Sequence, residues 1–155
     1  MSRIANATIN HRDRIYLSKR NNLDSDVHGT AEAIKNLCLS MPITKIIAVT
    51  VSGFAARIIS SQLLPQPILA ISNNRDSARS LNLLSGTKGI FYDIEFFKDS
   101  LEHIPMCLGY LWKIKSIQMN DLILLTALGY PNSGRRMNMI QTHYVRDLKK
   151  TFSWK

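Results

Sequence analysis

The sequence predicts a three-layer α/β/α fold in which about five strands, mostly parallel with one antiparallel edge strand, lie between helices. Three observations carry this. Short apolar runs rich in β-branched residues recur along the chain, helical patterns separate them, and after the last run a Pro- and Gly-containing turn leads into an alternating segment. With 155 residues, 45% of them apolar, the chain is long enough for one domain with a substantial core.

The elements follow in order. Residues 2–20 can form a polar helix with apolar positions Ile4, Ile9 and Ile15, and NNLDSDVHG after it reads as a linker. Ser25 or Asp26 can cap a helix from Val27 to Leu39, which Pro42 ends. KIIAVT (Lys45–Thr50) is a continuous apolar run, as expected of a strand covered on both faces. Phe54–Leu64 is helical; Pro67–Ser72 is a second strand; RDSARSLNLLSG is a helix that Gly86 can terminate. Gly89–Ile94 is a third strand, Ser100–Ile117 a helix, and Asp121–Leu128 the most apolar strand. MNMIQTHYV then returns as an antiparallel edge strand. The organisation is a leading helix and linker (1–24), an α/β domain (25–147) and a basic tail (148–155).

Charge narrows the function classes. Net charge is +9, yet residues 1–20 carry +4 and residues 135–155 carry +5, so the middle is neutral. A nucleic-acid-binding face would place its basic residues along one folded surface, so nucleic acid is not the expected partner. No apolar run reaches the ~20 residues of a membrane span, and the start does not resemble a secretory signal, so a cytoplasmic protein is expected. Cys38 and Cys107 lie far apart in apolar surroundings and read as buried free thiols, and the four histidines have no metal-ligand spacing. Neither a metal nor a catalytic constellation is expected.

Ligands of open parallel sheets bind beyond the carboxyl ends of the strands. Four loops qualify: 50–55, 72–76, 92–99 and 128–136. The first offers the Thr50 and Ser52 hydroxyls, Gly53, and the start of a helix at Phe54 and Ala55. The last offers Ser133 and Gly134 before Arg135 and Arg136, whose guanidinium groups suit a phosphate. The two loops would make one phosphate pocket if their strands were neighbours. A Ser-Gly turn between strand and helix is also common scaffolding and fits neither the P-loop nor the GxGxxG spacing.

Three stretches in order resemble the C-terminal domain of pyruvate kinase. AEAIKNLCLSMPITKIIAVTVSGFAARIIS is similar to the helix, strand, Thr-x-Ser-Gly turn and Ala-Arg helix start of that family. PILAISNNRDSARSLNLLSG and NDLILLTALGYPNSGRRMNMIQ resemble two further family segments, so the likeness covers about Val27 to Val145. MSRIANATINHRDR looks like the last helix of the family's catalytic barrel, implying a chain that begins in the final turn of a barrel it does not contain.

The resemblance implies a non-catalytic regulatory and subunit-contact domain that binds a phosphorylated small-molecule effector. No activity is expected of this chain alone, because in the family the barrel holds the substrate sites together with Mg and K. The effector phosphate would sit at Thr50, Ser52, Gly53, Phe54 and Ala55, closed by Ser133, Gly134, Arg135 and Arg136. Where family members often carry a hydroxyl donor this sequence has Ala55, and where some place an arginine for a second phosphate it offers His103. A singly phosphorylated effector is therefore expected over a doubly phosphorylated one. A homo-oligomer, and a barrel partner within a longer chain, are also implied. Two other readings compete: a basic nucleic-acid-binding module, and a stand-alone assembly domain with no ligand.

Overall fold

The computed structural model describes residues 25–97, 100–127 and 137–155. The leading helix expected over 2–20 lies outside them. Helices α1 (Ser25–Ser40), α2 (Phe54–Ser60), α3 (Arg75–Leu81), α4 (His103–Lys113) and α5 (Val145–Phe152) accompany strands β1 (Lys45–Val49), β2 (Ile68–Ser72), β3 (Thr87–Phe91), β4 (Leu122–Ala127) and β5 (Met139–Tyr144). The strands form one sheet in the order β3-β2-β1-β4-β5, parallel except for β5, which runs antiparallel to β4.

The apolar runs end up in the middle of the sheet because their side chains need cover on both faces. Ile46, Ile68 and Leu124 point to one layer, and Ile47, Ile71 and Leu125 to the other; Ile46, Ile47, Leu124 and Leu125 have no exposed surface. On the first face they meet Ile34 and Cys38 of α1, Ala55, Ala56 and Ile59 of α2, and Leu81 of α3. On the second they meet Ile104, Cys107, Leu108 and Leu111 of α4, with Val145 and Leu148 of α5. Each fully buried Ile or Leu contributes roughly 1.5–3 kcal/mol, so these two layers hold the sheet closed. The three-layer α/β/α arrangement with one antiparallel edge is the one expected from the sequence.

Several boundaries differ from the sequence reading. The third strand begins two residues early, at Thr87, because Gly86 turns the chain in the left-handed region (φ +65°) and Thr87 pairs at once with Ile68. Its polar start, Thr87 and Lys88, suits an edge strand. Within β3, Gly89 lies so close to α3 that a Cβ there would fall 1.9 Å from the Ala78 carbonyl oxygen, so only glycine lets the helix approach the edge. Helix α4 is shorter than 100–117. It stops at Lys113 because the N–H groups of Lys115 and Ser116 fold back onto the Trp112 and Leu111 carbonyls. The segment from 148, expected as a basic tail, continues helix α5: Val145 and Leu148, three residues apart, anchor it to the core while Lys149 and Lys150 stay outside.

At the amino edge of the sheet Asp121 ties β1 to β4. Its carboxylate accepts from Lys45 Nζ (2.6 Å), the Gln118 backbone N–H (2.7 Å) and Thr44 Oγ1 (2.8 Å). Burial pushes this carboxyl up, but the three hydrogen bonds and the Lys45 charge outweigh it and hold it below its ordinary 3.8. A carboxyl lowered on folding stabilises the fold above its unfolded pKa, and that contribution is lost as pH falls through the folded value. Asp121→Asn should therefore cost about 1–3 kcal/mol near neutral pH, with the gap to wild type in urea denaturation shrinking below pH 3.8. A gap that does not change with pH would contradict this role.

Candidate functional site

The chain runs β1, β2, β3 outward in one direction, then returns through α4 to place β4 on the other side of β1. The point where the order reverses therefore lies between the carboxyl ends of β1 and β4. In open α/β sheets such switch points are where ligands bind. The two strands pair in parallel through Ala48 and Thr126, so their carboxyl ends lie side by side at one edge of the sheet. This is the adjacency that one pocket built from both loops requires.

The loop after β1 is held by its own bonds. The Thr50 N–H continues the sheet to the Ile71 carbonyl (3.0 Å). Thr50 Oγ1 accepts the Gly53 N–H at 3.0 Å, which closes a tight turn and leaves the Thr50 hydroxyl proton to donate. Ser72 Oγ donates to the Val51 carbonyl at 3.0 Å and accepts the Asn74 N–H at 3.1 Å, so the loops after β1 and β2 are tied together. The Ser52 carbonyl accepts from an Arg57 guanidinium nitrogen at 2.9 Å. Gly53 has φ +79°, and a Cβ there would come within 2.9 Å of Leu81 Cδ2.

The predicted residues divide accordingly. Ser52 and Phe54 are exposed at the mouth of the loop. Among the described residues the Ser52 side chain makes no hydrogen bond, so its hydroxyl is available to a ligand. Gly53 is buried, and its N–H is already taken by Thr50. Its part is conformational, because the turn needs a left-handed residue there. Ala55 packs into the core between sheet and α1–α3, so that position can offer only its backbone N–H. Helix α2 begins without a side-chain cap. The first N–H groups of a helix lack intrahelical partners, so those of Phe54, Ala55 and Ala56 remain to be satisfied. Ser133, Gly134, Arg135 and Arg136 lie outside the described residues.

One cation at this edge escaped the sequence reading. Arg57 is exposed, and its bond to the Ser52 carbonyl places its guanidinium beside the loop. Long side chains on a helix point back toward its N-terminus, so an arginine one turn after the Gly of a strand-to-helix turn was the signal available. Thr126, one residue short of the end of β4, adds a fully buried hydroxyl with no hydrogen-bond partner among the described residues.

His103 does not serve as a cation facing this edge. It is buried at the start of α4, stacked on Phe96 with ring centroids 4.9 Å apart, and burial lowers its pKa. An imidazole so placed is neutral at physiological pH and gives a phosphate no charge. Both thiols are buried, and burial pushes Cys38 up to about 11 and Cys107 up to about 12. Neither is a nucleophile near neutral pH. Among the described residues no three His, Cys, Asp or Glu side chains sit together as a metal site, and no helix is long and apolar enough to cross a membrane.

The family model of the pyruvate kinase alpha/beta domain matches residues 28–143. The chain belongs to that family. No curated protein matches it. The match covers β1 to β4 entirely and β5 up to residue 143, so the β1/β4 switch point lies within this pyruvate kinase alpha/beta domain. The catalytic barrel of pyruvate kinase is not evidenced in the 155 residues.

Gly53→Ala isolates the turn from any ligand. A left-handed alanine costs about 1–2 kcal/mol, and Leu81, which is fully buried, must also shift. The expected outcome in chemical denaturation is a loss of that size or slightly more; an unchanged midpoint would mean that the turn is not held in the left-handed form.

Proposed function

We propose that this domain is a non-catalytic effector-binding module that takes the phosphate of a singly phosphorylated metabolite at the β1/β4 switch point. The observation that carries the reading is the parallel pairing of β1 with β4, which sets the carboxyl ends of the two strands next to each other; the Thr-x-Ser-Gly loop follows the first strand in the sequence, and Arg135 and Arg136 follow the second. The phosphate would accept from the Ser52 hydroxyl and from the first N–H groups of α2, where the helix dipole also favours an anion. Arg135 and Arg136 would supply charge-assisted bonds, and Arg57, whose guanidinium is held at the Ser52 carbonyl, would add a further positive charge. The loss of a donor at Ala55 and the neutral His103 argue against a second phosphate site of comparable strength. Family membership supports a regulatory role, and nothing in the described residues forms a nucleophile with a base beside it.

Calorimetric titration with sugar monophosphates, sugar bisphosphates and nucleoside monophosphates tests the reading. At least one monophosphate should bind with a stoichiometry of one at millimolar concentration or below, and a bisphosphate should gain less than roughly tenfold over it. The double substitution Arg135→Ala, Arg136→Ala should abolish the heat while leaving the thermal midpoint within a few degrees. Absence of heat from every phosphorylated compound, or an unchanged affinity in the double variant, would overturn it.

A further inference from the structure

A second concave site lies at the opposite end of the sheet, where α4 ends and β4 begins. It is a cleft of ≈ 650 Å³ whose lining includes Trp112, Lys113, Lys115, Met119, Trp154 and Lys155. That volume falls within the ~300–1,000 Å³ of small-ligand pockets. The local structure around it is specific. Helix α5 ends with Ser153 in the left-handed region, and the Trp154 N–H returns to the Lys149 carbonyl, which folds the chain back over α4. The Trp112 and Trp154 rings then lie 6.1 Å apart, and Trp112 Nε1 donates to an α-carboxylate oxygen of Lys155 at 2.8 Å. Gly109 permits this approach: a Cβ there would sit 3.3 Å from Trp154 Nε1.

The side-chain charges in the cleft are of one sign, and against these ammonium groups stands only the single α-carboxylate of Lys155. Lys113, Lys115 and Lys155 line it, Lys149 stands over the Trp112 ring at 5.1 Å, and no Asp or Glu is among the lining residues. Like charges gathered in one cleft repel, and an anion among them relieves that repulsion. Lys115 occupies the position after a helix end that favours glycine, with φ +56°, so the fold carries backbone strain at the residue that brings one of these charges to the cleft.

We propose that this cleft binds a planar aromatic anion, its ring packed on the indoles and Met119 and its negative group held by Lys113, Lys115 and Lys155. The chemistry is shared by a nucleoside monophosphate and by an aromatic carboxylate, and it does not depend on the phosphate reading at the switch point.

Trp112 and Trp154 are the only tryptophans of the chain, so indole emission reports on this cleft alone. Emission excited at the red edge of indole absorption is followed while the protein is titrated with adenosine monophosphate, benzoate, adenosine or inorganic phosphate. At least one of the two aromatic anions should give a saturable change at submillimolar concentration, with adenosine and phosphate weaker by roughly tenfold or more. A response to adenosine monophosphate alone assigns a nucleotide; a response to benzoate assigns a carboxylate. Lys115→Gly should weaken that binding by roughly tenfold while keeping or raising the thermal midpoint, since glycine suits the left-handed position. The Arg135→Ala, Arg136→Ala variant should titrate like wild type. No saturable change with either aromatic anion, adenosine binding as tightly as both, or full affinity in Lys115→Gly would overturn the proposal.

Discussion

The parallel pairing of β1 with β4 is the constraint on which the remaining structure depends. Both strands are covered on two faces, and no other pair in the sheet joins segments so distant in the chain through residues with so little exposure. Once β4 lies beside β1, the helices before β3 must occupy one face and α4 the other, because a right-handed crossover back past β1 has only that route. The same pairing sets the two ends of the sheet apart. At the amino edge it is locked by the Asp121 carboxylate with Lys45 and Thr44; at the carboxyl edge it sets the ends of β1 and β4 side by side.

Much of the fold was legible because burial dictates pattern. A strand covered on both faces has to be apolar throughout, and KIIAV and LILLTA nearly are. Legibility failed where the deciding contact is distant in sequence. Thr87 and Lys88 look like loop residues until Ile68 and Leu69 are seen to pair with them. Residues from 148 onward look like a charged tail until Leu148 is found against the α4-side core. The end of α4 depends on a left-handed lysine, a choice that backbone sterics argue against.

The candidate site was legible in its residue types and less so in their roles. Thr50, Ser52 and Gly53 do meet in one turn, but Thr50 and Gly53 spend their first hydrogen bond on each other, leaving Ser52 as the outward hydroxyl. Ala55 could be read as a missing donor from sequence; that its side chain belongs to the core could not. His103 shows the same limit, since a histidine in a helix start gives no sign of whether Phe96 covers it. Arg57 entered only through its bond to the Ser52 carbonyl, a contact fixed by the turn that precedes it.

The central claim is that the loops after β1 and β4 act as one anion site. Amide NMR spectra recorded during titration with a sugar monophosphate test it most directly, because each loop reports separately. The amides of Ser52 to Ala56 and of residues 133–136 should shift together along one binding curve, while those of Lys113 to Met119, at the other end of the sheet, stay in place. Shifts confined to one loop, or two loops following different curves, would contradict it.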